Sequence, residues 1–206
     1  MAWYHKGTPE KPAILFLHGN AGQIATFAPH LVPLAKNGYT ILAMEFRSFA
    51  GTPGELTQYN LFQDAAQAYD LLKNEGYKTI VVYGYSFGTA FASGLTSLRE
   101  MNALILTSPF SSLETLVSEK PLPFAHYLLY DTYPSIQYIW NFDKPLLIIH
   151  GEKDRLIPYH HAQWLYDAAK SRQKEIHILD NETHASVYFE RKNLAYILDF
   201  LKKLEE

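Results

Sequence analysis

The chain has no cysteine among its 206 residues. Disulfides and thiolate catalysis are thereby excluded, and the composition suits a reducing compartment. An excess of positive charge is also missing: 18 Lys and Arg stand against 21 Asp and Glu, a net charge of -3. That leaves no basic surface for nucleic acid and no Lys/Arg run for an anionic membrane. The first residues, Met1-Ala2-Trp3-Tyr4-His5-Lys6-Gly7, contain no apolar stretch of signal-peptide or transmembrane length. The expected location is cytoplasmic. Internal repeats, low-complexity tracts and linker-like runs are absent too, which predicts a single domain over residues 1–206. What the chain does have is apolar residues, 48% of the total with 15 Tyr and 12 Phe. They suffice for a sizeable core, and some aromatics could line an apolar pocket.

Short, near-continuous apolar runs punctuate the sequence at Ala13–Leu17, Thr40–Met44, Thr79–Tyr83, Ala103–Thr107 and Pro145–Ile149. Runs of this kind suit parallel strands covered on both faces. Between them Ile24, Phe27, Leu31 and Leu34 keep helical spacing. So do Leu61, Ala65, Ala68 and Leu72, behind an expected Asn60 cap with Gln63 three residues later. Glu175–Leu179 reads as a last strand and Tyr188–Leu204 as one closing helix. The alternation predicts an α/β fold: an open, mostly parallel sheet with helices on both faces, interrupted by an insertion at about 111–141.

In such sheets active groups gather at the carboxyl ends of strands. Ser86 follows one strand, Asp154 a later one and His184 the last. Serine, acid, histidine is the chain order of the α/β-hydrolase triad, and Gly84-Tyr85-Ser86-Phe87-Gly88 matches its G-x-S-x-G elbow. The turn there is so sharp that residues two before and two after the serine must be small. As an isolated pentapeptide this is equally a helix-start serine; the acid and base at the right strand ends favour a nucleophile. Asp180 rivals Asp154 because it lies near His184, but the order favours Asp154. An oxyanion hole is expected from the Phe87 amide and from the loop His18-Gly19-Asn20-Ala21-Gly22, through the Asn20 amide or, with a shift of one, that of Ala21. His18 reads as an orienting or packing residue rather than a second base.

The chain resembles the α/β-hydrolase family over almost its whole length, most closely the branch of monoacylglycerol-lipase-like, lysophospholipase-like and palmitoyl-protein-thioesterase-like hydrolases. The resemblance rests on Leu17–Gly22, the Tyr83–Gly88 elbow, Ser108-Pro109-Phe110-Ser111-Ser112-Leu113 and the stretch from Pro145 through His150-Gly151-Glu152-Lys153-Asp154 to Pro158. It implies nucleophile, acid and base roles for Ser86, Asp154 and His184. The pattern departs at Asn181-Glu182-Thr183-His184, where the family usually has glycine before the histidine, and at Glu45-Phe46-Arg47-Ser48, where it commonly reads Asp-Tyr-Arg-Gly. The family's N-terminal antiparallel strands are expected to be largely missing.

The implied activity is hydrolysis of small-molecule carboxylic esters or thioesters with apolar acyl groups, through an acyl-enzyme. A peptidase is less favoured, since the sequence offers no added domain to select peptides. A catalytically idle scaffold that binds a ligand or partner is the alternative, and retention of all three triad residue types with an oxyanion loop argues against it. No cofactor is implied. Nor is a metal, since the nine histidines show no close pair with metal-ligand spacing and no His-Glu-x-x-His run. Peripheral membrane contact stays open. The insertion contains Leu113, Leu116, Phe124, Tyr127, Leu128, Leu129, Tyr130, Tyr133, Tyr138 and Trp140, with Pro121, Pro123 and Pro134 as breakers. It reads equally as a short lid over an acyl pocket and as structure packed onto the sheet.

Overall fold

A continuous apolar run needs cover on both of its faces, and the strands obtain it. The computed structural model describes residues 1–121, 127 and 129–205; Pro123, Phe124 and Leu128 of the insertion lie outside them. The strands are β1 (Ala2–His5), β2 (Ala13–Leu17), β3 (Thr40–Met44), β4 (Ile80–Tyr85), β5 (Ala103–Thr107), β6 (Leu146–Gly151) and β7 (Lys174–Leu179). Helices are α1 (Ile24–Lys36), α2 (Gln58–Asn74), α3 (Gly88–Leu95), α4 (Leu113–Ser118), α5 (Ser135–Ile139), α6 (His160–Ala168), α7 (Ser186–Phe189) and α8 (Leu194–Lys203). Every residue of β2 to β6 is buried. Alternate side chains serve opposite layers: Leu15, Val82, Leu104 and Ile148 pack with α2, α3 and α6, whereas Phe16, Tyr83, Ile105 and Ile149 pack with α1 and α8.

The strand order is β1-β3-β2-β4-β5-β6-β7, parallel from β3 to β7. After β2 the chain builds β3 on one side and β4 on the other. The loops leaving β2 and β4 therefore diverge and open a crevice at the carboxyl end of the sheet.

Three local expectations are corrected. A strand precedes the His18 strand after all: β1 pairs antiparallel with β3, Ala2 opposite Met44 and His5 opposite Ile41. It is an exposed edge strand, so no buried apolar run announces it. Helix α2 is capped by Thr57, not Asn60; Thr57 is extended (φ -127°, ψ 153°) and its hydroxyl accepts the Asn60 N–H at 3.2 Å. The closing helix is broken into α7, a 3₁₀ turn at Arg191–Asn193 and α8. Glu190 leaves helical geometry (ψ 119°), and the Asn193 side-chain amide donates to the Val187 carbonyl at 3.2 Å, closing the corner. No described helix is long and apolar enough to cross a membrane.

His30 of α1 supplies a pH-dependent term to this packing. Its ring stacks on Tyr188 with centroids 4.1 Å apart, and its Nε2 lies 3.3 Å from the Tyr83 hydroxyl. Burial lowers its pKa from 6.5 to about 4, more than a contact with the Tyr188 backbone raises it. Between these values the unfolded chain binds a proton that the folded chain refuses. The stabilisation is therefore complete above about pH 6.5 and declines as pH falls, by at most about 3 kcal/mol at pH 4. Urea unfolding at pH 7 and pH 5 should show the loss, and His30→Phe should flatten it. An equally steep pH dependence in that variant would exclude His30 as its source.

Candidate active site

The turn after β4 brings Ser86 to the crevice in a conformation that its neighbours enforce. Ser86 has φ +52° and is nearly buried, at 8% exposure. Its amide donates to the Thr107 carbonyl and its own carbonyl accepts the Thr89 amide, both at 2.9 Å. A left-handed serine stores strain that such bonds must hold. The flanking glycines are sterically required: a Cβ on Gly84 would meet the Gly88 carbonyl oxygen at 2.7 Å, and one on Gly88 would collide with the Leu17 carbonyl of β2.

The three polar strand ends converge. Ser86 Oγ lies 2.8 Å from His184 Nε2, and His184 Nδ1 lies 2.6 Å from Asp154 Oδ2. A carboxylate only accepts, so Nδ1 carries the proton and Nε2 presents its lone pair to the Ser86 hydroxyl. The other Asp154 oxygen, Oδ1, accepts the amides of Leu156 and Ile157, each at 2.9 Å. Burial pushes the Asp154 carboxyl upward, but His150, His184 and the Ile157 amide outweigh it and hold the pKa well below the usual carboxylate range. Asp180, the rival acid, is exposed at the end of β7.

His150, near the end of β6, packs against the turn that carries Asp154. Its fully buried ring donates from Nε2 to the Ile157 carbonyl at 2.8 Å, with the same nitrogen 3.3 Å from Asp154 Oδ2. It thus ties both ends of the acid's turn to β6. Across from the His184 loop stands Gly151, which lets the two strand-end loops approach closely. A Cβ on Gly151 would strike the Glu182 carbonyl, and that carbonyl accepts the Lys153 amide at 2.9 Å. Tyr85 adds a second anchor that sequence reasoning missed, its hydroxyl donating to the His184 carbonyl at 3.0 Å.

The loop after β2 lies against the serine. A Cβ on Gly19 would come 3.2 Å from the Ser86 Cβ. Among the described residues, neither the Asn20 amide nor the Phe87 amide has an acceptor within the protein. His18 is fully buried, its Nδ1 2.7 Å from the Gly19 carbonyl and its Nε2 2.8 Å from Glu45 Oε1. Glu45 also accepts the Ile24 amide at the start of α1, at 2.9 Å. His18 and Glu45 together brace the loop.

The insertion divides its residues between packing and surface. Tyr133 is buried edge-on against Phe87, with centroids 5.3 Å apart, and Leu116 and Ile139 are buried with it. Gln58 at the start of α2 holds this segment, its side-chain carbonyl accepting the Tyr133 amide and its own amide donating to Asp131, both at 2.9 Å. Tyr130 and Trp140 face outward. Phe49, Phe87 and Leu113 are half-buried on the same core cluster. Elsewhere the fold assembles Glu119, His160 and His161, a grouping that sequence spacing hid because Glu119 is 41 residues from His160.

Known proteins resemble the chain in sequence and in fold. A family model described as alpha/beta hydrolase fold matches residues 12–127, and one described as serine aminopeptidase, S33, matches residues 137–192. The chain is 29% identical over 198 residues to the uncharacterized protein YfhR of Escherichia coli (strain K12), covering 91% of this chain and 69% of YfhR. It is 29% identical over 203 residues to the lysophosphatidylserine lipase ABHD12 of Danio rerio, covering 85% of this chain and 52% of that protein. The chain thus spans about half the length of that lipase. Among solved structures, the Pyrococcus furiosus esterase Pf2001 superimposes with a TM-score of 0.81 at 23% identity, over 100% of this chain and 87% of the esterase.

Proposed function

Because the chain belongs to the alpha/beta hydrolase fold family, we propose that it hydrolyses carboxylic esters or thioesters of small molecules carrying apolar acyl groups, with Ser86 as nucleophile, His184 as base and Asp154 as acid. The observation that carries this reading is the unbroken hydrogen-bonded path from Ser86 Oγ through His184 to Asp154, at 2.8 and 2.6 Å. Lipase and esterase names among similar proteins support the reaction class.

The chemistry follows from the proton positions. Ser86 Oγ bonds to the acyl carbonyl carbon while its proton passes to His184 Nε2, and the buried Asp154 carboxylate stabilises the imidazolium. The carbonyl oxygen, now negative, takes hydrogen bonds from the Asn20 and Phe87 amides, each donor worth about 3 kcal/mol in the transition state. As the acyl–oxygen or acyl–sulfur bond breaks, His184 returns the proton to the leaving group. Water then repeats the cycle against the acyl-serine and restores Ser86. A fluorophosphonate probe followed by mass mapping tests the nucleophile: the label should sit on Ser86, and a label elsewhere or none would overturn the assignment.

The half-buried apolar side chains of Phe49, Phe87 and Leu113 support an apolar acyl preference. Each methylene they cover adds about 0.8 kcal/mol, roughly a fourfold gain in kcat/KM until the space is full. Along p-nitrophenyl esters from acetate to palmitate, kcat/KM should rise and then turn over. A maximum at acetate, or a flat series, would assign these side chains to packing alone.

A further inference from the structure

One cluster of ligating side chains is used by none of the chemistry above. We propose that Glu119, His160 and His161 bind a divalent transition metal of the zinc class, which fastens the end of α4 in the insertion to the start of α6. Glu119 Oε1 lies 3.0 Å from His160 Nε2, and Glu119 Oε2 lies 3.2 Å from His161 Nε2. The ligand atoms of all three residues lie within 4.8 Å of one another. Around a tetrahedral zinc with bonds of about 2.0–2.1 Å, neighbouring ligand atoms stand about 3.3 Å apart. Each imidazole already stands near that spacing from its own oxygen of the Glu119 carboxylate.

The donor set selects the ion. Two imidazoles and one carboxylate suit zinc, copper or nickel, whereas magnesium and calcium prefer oxygen throughout. Three protein ligands leave a fourth position for water. The cluster is graded in exposure: the His161 side chain is fully buried, while those of His160 and Glu119 are 42% and 28% exposed. An ion therefore reaches the site from solvent and meets one ligand that is already fixed. Trp164 packs against both imidazoles, at centroid distances of 4.5 and 5.2 Å, and the imidazoles stack on each other at 4.8 Å. Less ordering is thus left for the metal to impose.

Without metal, the Ser111 amide donates to His161 Nδ1 at 3.3 Å, so the ring proton sits on Nε2 facing Glu119. With metal on Nε2 the ring proton would sit on Nδ1, where the Ser111 hydroxyl oxygen at 2.8 Å can accept it and the Ser111 amide gives up its bond to the ring. A supporting acceptor behind a metal-bound imidazole is the usual arrangement.

The test uses the whole chain, freed of metal by chelation and titrated calorimetrically with Zn²⁺ at pH 7.5. One Zn²⁺ per chain should bind and raise the melting temperature. His160→Ala and Glu119→Gln, both at partly exposed side chains, should each weaken binding at least about tenfold and remove the rise in melting temperature. Binding left unchanged in both variants would place the ion on other histidines and overturn the site. Absence of saturable binding would reduce the cluster to two histidine–glutamate hydrogen bonds.

Discussion

Ser86→Ala is expected to lower turnover of an activated ester by about five to six orders of magnitude, the scale on which loss of a serine nucleophile acts. The substitution removes one oxygen and keeps the Cβ, so the elbow's contacts with Thr107 and Thr89, which are made by the Ser86 backbone, survive. The melting temperature should therefore stay close to that of the parent, and labelling by a fluorophosphonate should disappear with the activity. What remains would be the background that the Asn20 and Phe87 amides and acyl binding give to attack by water. Steady-state hydrolysis of a p-nitrophenyl ester, read beside a thermal melt, decides the matter. Turnover at the parental level in a folded variant would end the serine-hydrolase reading.

Asp154→Asn should cost about four orders of magnitude in kcat through the tautomer of His184. The two oxygens of Asp154 are not equivalent: Oδ1 accepts two amides, and Oδ2 faces His184. Asparagine must keep its carbonyl oxygen on the amides and turn its NH₂ toward His184. The imidazole then accepts at Nδ1 and carries its proton on Nε2, where it can no longer take one from Ser86. The same NH₂ also faces the His150 Nε2–H, which is 3.3 Å from Oδ2 in the parent, so two donors confront one another. Stability follows the same carboxylate. Its folded pKa lies below the unfolded value, so its contribution is complete above about pH 4 and lost as pH falls through the folded pKa. The melting temperatures of parent and variant should differ at pH 7 and converge in acid. Asp180→Asn is the control, expected to leave kcat unchanged; the reverse result would transfer the acid's role to Asp180.

The parallel strands were legible in the sequence because burial on both faces demands uninterrupted apolar runs, and β2 to β6 have them. The elbow was legible for a related reason. Only glycine fits where Gly84 and Gly88 pass other backbone, so steric necessity leaves a local mark. Chain order then ranked Asp154 above Asp180 before any distance was known. Other features left no such mark. The β1 edge strand is exposed, and the Thr57 cap and the break at Glu190 depend on single side chains competing for backbone groups.

Strand burial and elbow sterics are local constraints, so the sequence by itself marks the strands and the Ser86 elbow, while Asp154 and His184 were picked out by their order along the chain. Tertiary structure alone decided what surrounds them: His150 and Tyr85 as supports, Glu45 behind His18, Tyr133 packed against Phe87, and Glu119 beside His160 and His161. Each of these pairs a residue with a partner on another element. A side chain that bonds or packs across the fold imposes no period and no spacing on the sequence, so only the folded chain reveals the partnership.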